Sequence, residues 1–242
     1  LGGDGNDLIF GGEGNDELVG DMGDDTIWGG NGDDQLNGGR GQDLLHGEAG
    51  RDYLRGFYGD DTLYAGAGAD TVSGGPGADL IFGGEGNDNL GGDDGRDTLH
   101  GEAGDDSIGG GLGADLIYAG AGDASLSGGA GADTIYGGSG ADRLFGGAGN
   151  DLLFGGANAD TFVFQNWTAG EVDIVGDFQD GLDRLQFVAV RGVNAAAKFA
   201  NLSVTATVHE GLPSTRIAYD GHEVILSGID PLLIDPGDFL FT

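Results

Sequence analysis

The sequence predicts an all-β solenoid in which two nonapeptides make each coil, followed by a β-rich C-terminal segment. Three observations carry this. A nine-residue frame starting at Gly2 runs without insertion or deletion through eighteen units to Val163. The eighth position of every unit is apolar, from Ile9 through Leu54 and Ile108 to Phe162. Glycine supplies 56 of 242 residues, and only 8 of these follow Val163. A short fixed period held over many units marks a stacked-repeat architecture.

Read down its columns, the unit is GGxGxDxUx. The first position is Gly in 16 of 18 units, with Ala65 and Ala119 as exceptions. The second is looser, with Gly in 13 units. The fourth is Gly in all but one, Asn158, and the sixth is Asp in all but one, Ala124. Glycines suit a turn that enters positive-φ regions and approaches its neighbours closely. GGxGxD therefore reads as a six-residue turn and xUx as a three-residue strand whose middle side chain points inward. Two units per coil make two facing parallel sheets. Nine coils stacked at about 4.8 Å give a prism roughly 40 Å long.

The Asp column decides the chemistry. Stacking brings like charges from units n and n+2 within one strand spacing, which opposes folding unless a cation lies between them. Carboxylates together with glycine-turn carbonyls offer the all-oxygen shell that Ca2+ prefers; Mg2+ is smaller and gives up water reluctantly. Nine turns on each edge leave eight gaps, so the two edges offer at most sixteen sites. The repeats hold 31 acidic and 5 basic residues, a charge of −26 that sixteen Ca2+ ions would more than neutralise. One apolar side chain per nine residues is also a thin core for a glycine-rich chain that must be ordered. Metal-coupled folding is the expected remedy.

Composition narrows the partners. The formal charge of −33 argues against nucleic acid and anionic membranes, which need a basic face. No run approaches the roughly 18 apolar residues of a transmembrane helix. The absence of cysteine removes disulfides and thiolate zinc sites. The sequence opens in mid-pattern at Leu1, as a piece of something longer would.

The ninth column separates the two sheets. In odd units it is a ring throughout: Phe10, Trp28, His46, Tyr64, Phe82, His100, Tyr118, Tyr136 and Phe154. In even units it is mixed and largely polar. Two readings follow: a ladder of stacked rings stabilising one sheet, or an exposed interface formed by Phe10, Trp28, Tyr64, Phe82, Tyr118, Tyr136 and Phe154. His46 and His100 belong to the ladder reading.

The last 79 residues, Phe164 to Thr242, read as ordinary mixed sequence. Strand-like runs are Val172 to Phe178, Leu185 to Val190, Leu202 to Val208, Thr215 to Tyr219 and Val224 to Leu226, with a helical turn or two at Ala195 to Ala200. An array end needs an atypical unit to cover its last apolar layer, so 2–163 is read as the repeat domain and 164–242 as its cap. No catalytic constellation stands out. His209-Glu210 and His222-Glu223 lack the second His of a zinc-protease helix, and Ser139 belongs to the repeat rather than to a nucleophile elbow.

The units GGDGNDLIF (Gly2 to Phe10), GGEGNDELV (Gly11 to Val19) and GGAGNDLLF (Gly146 to Phe154) resemble the RTX, or haemolysin-type, calcium-binding nonapeptide. The tail is similar to RTX C-terminal segments in ADTFVF (Ala159 to Phe164), DIVGDFQDGLDRLQF (Asp173 to Phe187) and DFLFT (Asp238 to Thr242). The resemblance implies a parallel β-roll, extracellular Ca2+ as ligand, and export by a type I secretion system that reads an uncleaved C-terminal signal. It implies as metal ligands Asp7, Asp16, Asp25, Asp34, Asp43, Asp52, Asp61, Asp70, Asp79, Asp88, Asp97, Asp106, Asp115, Asp133, Asp142, Asp151 and Asp160. Ala124 breaks that set, with Asp123 one position out of register. Asp173, Asp177, Asp180 and Asp183 form a candidate extra calcium group, which the resemblance favours over a solvated loop.

Two functions follow. The first is a non-catalytic module that folds on Ca2+ outside the cell and supports export and stability of a larger secreted protein whose activity lies upstream. The second is a structural or adhesive protein, secreted or held at the cell surface, that self-associates through its aromatic face.

Overall fold

The computed structural model describes residues 1–165, 170–188, 202–219 and 222–241. Its architecture is the expected one: an all-β parallel solenoid of about nine coils. Strands from alternate units fall into two sheets, of twelve and thirteen strands. Every pairing within the repeats is parallel and joins residues eighteen apart, as in Phe82↔His100 and Leu90↔Ile108. Two nonapeptides thus make one coil. The eighth-column side chains fill the space between the sheets; Ile27, Leu45, Leu63, Ile81 and Leu99 are fully buried.

The strands are longer than the repeat pattern suggests. From Leu8–Glu13 to Leu152–Ala157 each runs six residues and takes in the first three residues of the following unit. The turn shrinks to three residues. The extension holds because the second-column residue pairs across the sheet in a left-handed conformation, as Gly12↔Gly30 does. The five non-glycine residues in that column, Asp21, Glu48, Phe57, Asp93 and Glu102, all adopt it too, with φ of 74–80°.

Inward-facing residues are also more numerous than one per strand. Alternation carries the sixth-, eighth- and first-column residues to the inside. The Asp of the turn is therefore buried two residues ahead of the apolar side chain.

The C-terminal segment continues both sheets. Thr161–Phe164 pairs with Arg184–Phe187, which pairs with Phe239–Phe241. The strand Leu152–Ala157 pairs with Val172–Val175, followed by His222–Leu226, and the antiparallel strands Leu212–Tyr219 and Ser203–His209 complete that sheet. Phe164, Phe178, Phe187, Leu226 and Phe239 close the core. Phe239–Phe241 is a strand the pattern did not suggest. The helical turn expected at 195–200 lies outside the described residues. Among the described residues, no helix is long and apolar enough to cross a membrane.

Candidate metal centre

The sixth-column carboxylates form two ladders, one along each edge of the solenoid. From Asp25 to Asp160 they are at most 2 % exposed. Each backbone N–H donates to the Oδ1 atom of the Asp one coil on. On one edge the series is unbroken from Asp7, whose N–H meets Asp25 Oδ1 at 2.8 Å, to Asp133, whose N–H meets Asp151 Oδ1 at 3.0 Å. On the other edge Asp88 N–H donates to Asp106 Oδ1 at 2.9 Å, and Ala124 then interrupts the series. It resumes where the Ala124 N–H meets Asp142 Oδ1 at 2.8 Å.

The second oxygen is different. The Oδ2 atoms of all seventeen residues are buried without a hydrogen-bond partner. Sixteen of them lie against a first-column glycine; Asp70 has Ala65 in that place. A Cβ added to Gly20 would stand 2.1 Å from Asp25 Oδ2 and 2.6 Å from the Gly38 carbonyl oxygen. The glycine keeps open a space approached by a carboxylate oxygen and a main-chain carbonyl. In the unit where Asp gives way to Ala124, the first column carries Ala119, so that unit has neither the carboxylate nor the glycine.

Burial has its electrostatic consequence. Desolvation pushes Asp43, Asp52, Asp61, Asp70, Asp97, Asp106 and Asp133 up to about 6. Asp79, Asp151 and Asp160 rise to about 7. The backbone hydrogen bond to Oδ1 opposes the rise, and like charges on neighbouring coils add to it. Buried carboxylates in a row, each with an oxygen that no protein donor meets, have the donor set of a cation site. An oxygen-lined, donor-free space suits a hard divalent cation, and unsatisfied buried polar atoms of this number call for such a partner. Among the described residues no three carboxylate or imidazole groups converge on one point. Further ligands would have to come from the backbone.

The four tail carboxylates do not form one group, although Asp177 and Asp183 lie near enough for their charges to interact with each other and with Asp160. Asp173 extends one ladder, its Oδ1 accepting the Asp151 N–H at 3.1 Å while its Oδ2 lies 3.0 Å from His222 Nε2. Asp183 extends the other, accepting from Asp160 N–H at 3.0 Å and from Gln179 N–H at 2.8 Å. Asp177 accepts the N–H groups of Gly155 and Gly156, both at 2.9 Å. Asp180 is exposed.

Asp123 is exposed in the fifth column, where it accepts the Ala141 N–H at 2.7 Å. It belongs to an outer ladder that sequence reasoning missed. Asn6, Asp24 and Asp33 likewise accept from backbone one coil on, at 2.9–3.0 Å. The signal was available, since half of the fifth-column residues are Asn or Asp.

The ninth-column rings of the thirteen-stranded sheet stack face to face from Trp28 to Phe154. Centroids are 3.8–4.9 Å apart and planes within 10° of parallel, His46 and His100 included. Phe10 remains 66 % exposed at the open end.

The family model for the RTX calcium-binding nonapeptide repeat matches residues 1–36, 28–56, 55–90, 91–126 and 127–162. Among solved structures, the AlgE6R2 subunit of the Azotobacter vinelandii mannuronan C5-epimerase is 29 % identical over 55 % of this chain and 91 % of that one, with a TM-score of 0.42. The AlgE6R3 subunit of the same enzyme is 27 % identical over 53 % and 80 %, with a TM-score of 0.37. The extracellular lipase LipA of Serratia marcescens is 18 % identical over the whole of this chain and 39 % of its own, with a TM-score of 0.24. A comparison with curated proteins gave no match. With the repeat model matched across residues 1–162, this chain belongs to the RTX calcium-binding nonapeptide repeat family.

Proposed function

We propose that the chain is a calcium-folded module: Ca2+ taken up along both Asp ladders holds the roll in its folded form outside the cell, and the module supports type I export and stability of a larger secreted protein. The observation that carries this reading is the set of seventeen buried Oδ2 atoms without partners. The ligands are the seventeen sixth-column Asp residues with main-chain carbonyls of the glycine turns, for at most sixteen ions. The tail carboxylates Asp173, Asp177 and Asp183 take their partners from the protein. On this reading the module itself is not catalytic, and any activity resides elsewhere in the parent protein. Passage through a secretion channel at low cytosolic Ca2+ would then precede folding at extracellular Ca2+.

Far-UV circular dichroism during a Ca2+ titration tests this, with Mg2+ as control. A cooperative coil-to-β transition is expected at roughly 0.1–1 mM Ca2+, the range of extracellular modules, with no transition in Mg2+. A chain fully folded in chelator and indifferent to Ca2+ would sink the reading.

A further inference from the structure

The thirteen-stranded sheet ends in an edge of a kind that proteins usually defend. Its last strand, Ser203–His209, pairs with Leu212–Tyr219 over seven residues without a bulge and has no neighbour on its other side among the described residues. The twelve-stranded sheet ends instead in a strand of three residues, Phe239–Phe241. Sheet edges are normally blunted by charge, proline or a bulge, because their free N–H and C=O groups pair with other strands. From Leu202 to His209 there is no Asp, Glu, Lys, Arg or Pro, in a chain with 42 carboxylates. Val208 is 70 % exposed.

The direction of the free backbone groups follows from the hairpin. Its two-residue loop, Glu210 and Gly211, has φ of 49° and 84°, both left-handed as in a type I′ turn, and closes on His209↔Leu212 as a hydrogen-bonded pair. Hydrogen-bonded and non-hydrogen-bonded pairs then alternate, so Val208↔Pro213, Ala206↔Thr215 and Val204↔Ile217 are of the second kind. Pro213, which has no N–H, fits that place. The N–H and C=O groups of Val204, Ala206 and Val208 therefore point to the open edge.

Those residues select the occupant. Val204-Thr205-Ala206-Thr207-Val208 reads the same in both directions. Antiparallel pairing of two such strands about Ala206 sets Ala206 opposite Ala206, Val204 opposite Val208 and Thr205 opposite Thr207. Ala206 with Ala206 is then a hydrogen-bonded pair, and so is Val204 with Val208 on either side, which gives every free group its counterpart. Matched β-branched side chains face each other across the seam. The apolar face also extends beyond the strand. Leu202, Val204 and Ala206 line a cleft of about 530 Å³ with Pro231, Leu232 and Ile234, and Leu232 is 91 % exposed. Val208 of the second copy would reach the lip of this cleft.

We propose that two copies of this chain pair through Ser203–His209 about a twofold axis, joining their thirteen-stranded sheets by an antiparallel seam. Two chains of charge −33 repel each other. The pairing therefore belongs to the Ca2+-loaded chain, and to that extent rests on the reading above.

Sedimentation velocity of the full chain at saturating Ca2+, over a concentration series, tests this. A reversible monomer–dimer equilibrium is expected, weakened by about tenfold or more in Val208→Glu, which puts an unpaired charge into the seam. Val208 is mostly exposed, so the Ca2+ midpoint of that variant by circular dichroism should match the parent, separating loss of pairing from loss of the fold. The chain has no cysteine, so Ala206→Cys places a single thiol at the twofold axis. Under mild oxidation it should cross-link the dimer, while Ser139→Cys, at the exposed end of a repeat strand, should not. The proposal is overturned by a monomer at every concentration, by parental dimerisation in Val208→Glu, or by cross-linking no greater than that of Ser139→Cys. A dimer that Tyr64→Ser dissociates would also overturn it, placing the contact on the aromatic face, as would growth beyond the dimer, which a closed twofold seam does not allow. A chain that folds without Ca2+ and still pairs through this edge would overturn the calcium reading and support this one.

Discussion

Asp79 shows how one side chain can hold two opposed roles. Its Oδ1 accepts the Asp61 N–H at 2.8 Å and ties two coils together. Its Oδ2 has no partner, and desolvation raises the group to about 7, with the charges of Asp61, Asp97 and Asp60 adding to the rise. Asp79→Asn separates the roles, because the amide oxygen still accepts while the charge is gone. In chelator the variant should be no less ordered than the parent, having lost a buried charge without a partner. In Ca2+ its rung should bind about tenfold more weakly, since site affinity follows ligand charge. A Ca2+ midpoint and cooperativity unchanged in this variant would remove the sixth column from the metal site. Ala124 is the natural counterpart, and Ala119 above it occupies space that glycine leaves open elsewhere. Ala65 keeps Asp70 beside it, and nothing in the structure explains how its methyl is accommodated.

The C-terminal strands solve the same problem with protein groups. The carboxylate of Asp173 meets His222, and both are buried to at least 96 %. His222→Ala would leave that carboxylate short of a partner, at a cost of about 1–3 kcal/mol. Denaturant unfolding at saturating Ca2+ reads it. An unchanged midpoint would mean that the last rung draws its partner from elsewhere. The existence of this rung was not legible in sequence. Asp173 and Asp183 sit ten residues apart in one acidic run, and spacing alone does not tell that they belong to opposite edges. The repeats were far more legible, because a strict period fixes register: pairing at eighteen residues, the buried eighth column and the aromatic column all follow from counting. Strand length was misread because glycine suggests turn, although the second-column glycine remains within the sheet ladder. The burial of the Asp was not read because GGxGxD was taken as a turn outside the strand, although D-x-U-x-G alternation places all three residues inside.

At the scale of the whole molecule, the ladders make stability depend on pH in a direction set by their burial. Burial pushes ten sixth-column carboxylates up to about 6 to 7, against 3.8 for an ordinary Asp. The folded chain therefore binds more protons than the unfolded chain between those values. Stability falls as pH rises through this window and is greatest, from these groups, below about 4. In chelator, lowering the pH from about 8 to about 5 should raise the β signal, protons standing in for the missing cation. In Ca2+ the sign of the apparent effect reverses. Protons and metal compete for the same oxygens, so acidification over that range should raise the Ca2+ concentration needed for folding. Circular dichroism in both series, held above about pH 5 so that ionised carboxylates keep the net charge negative, measures the two slopes. A β signal in chelator that ignores pH would mean that the metal-free chain does not bury these groups. Opposite slopes would place proton and calcium ion in one buried row, with the thin apolar core too weak to hold that row shut alone.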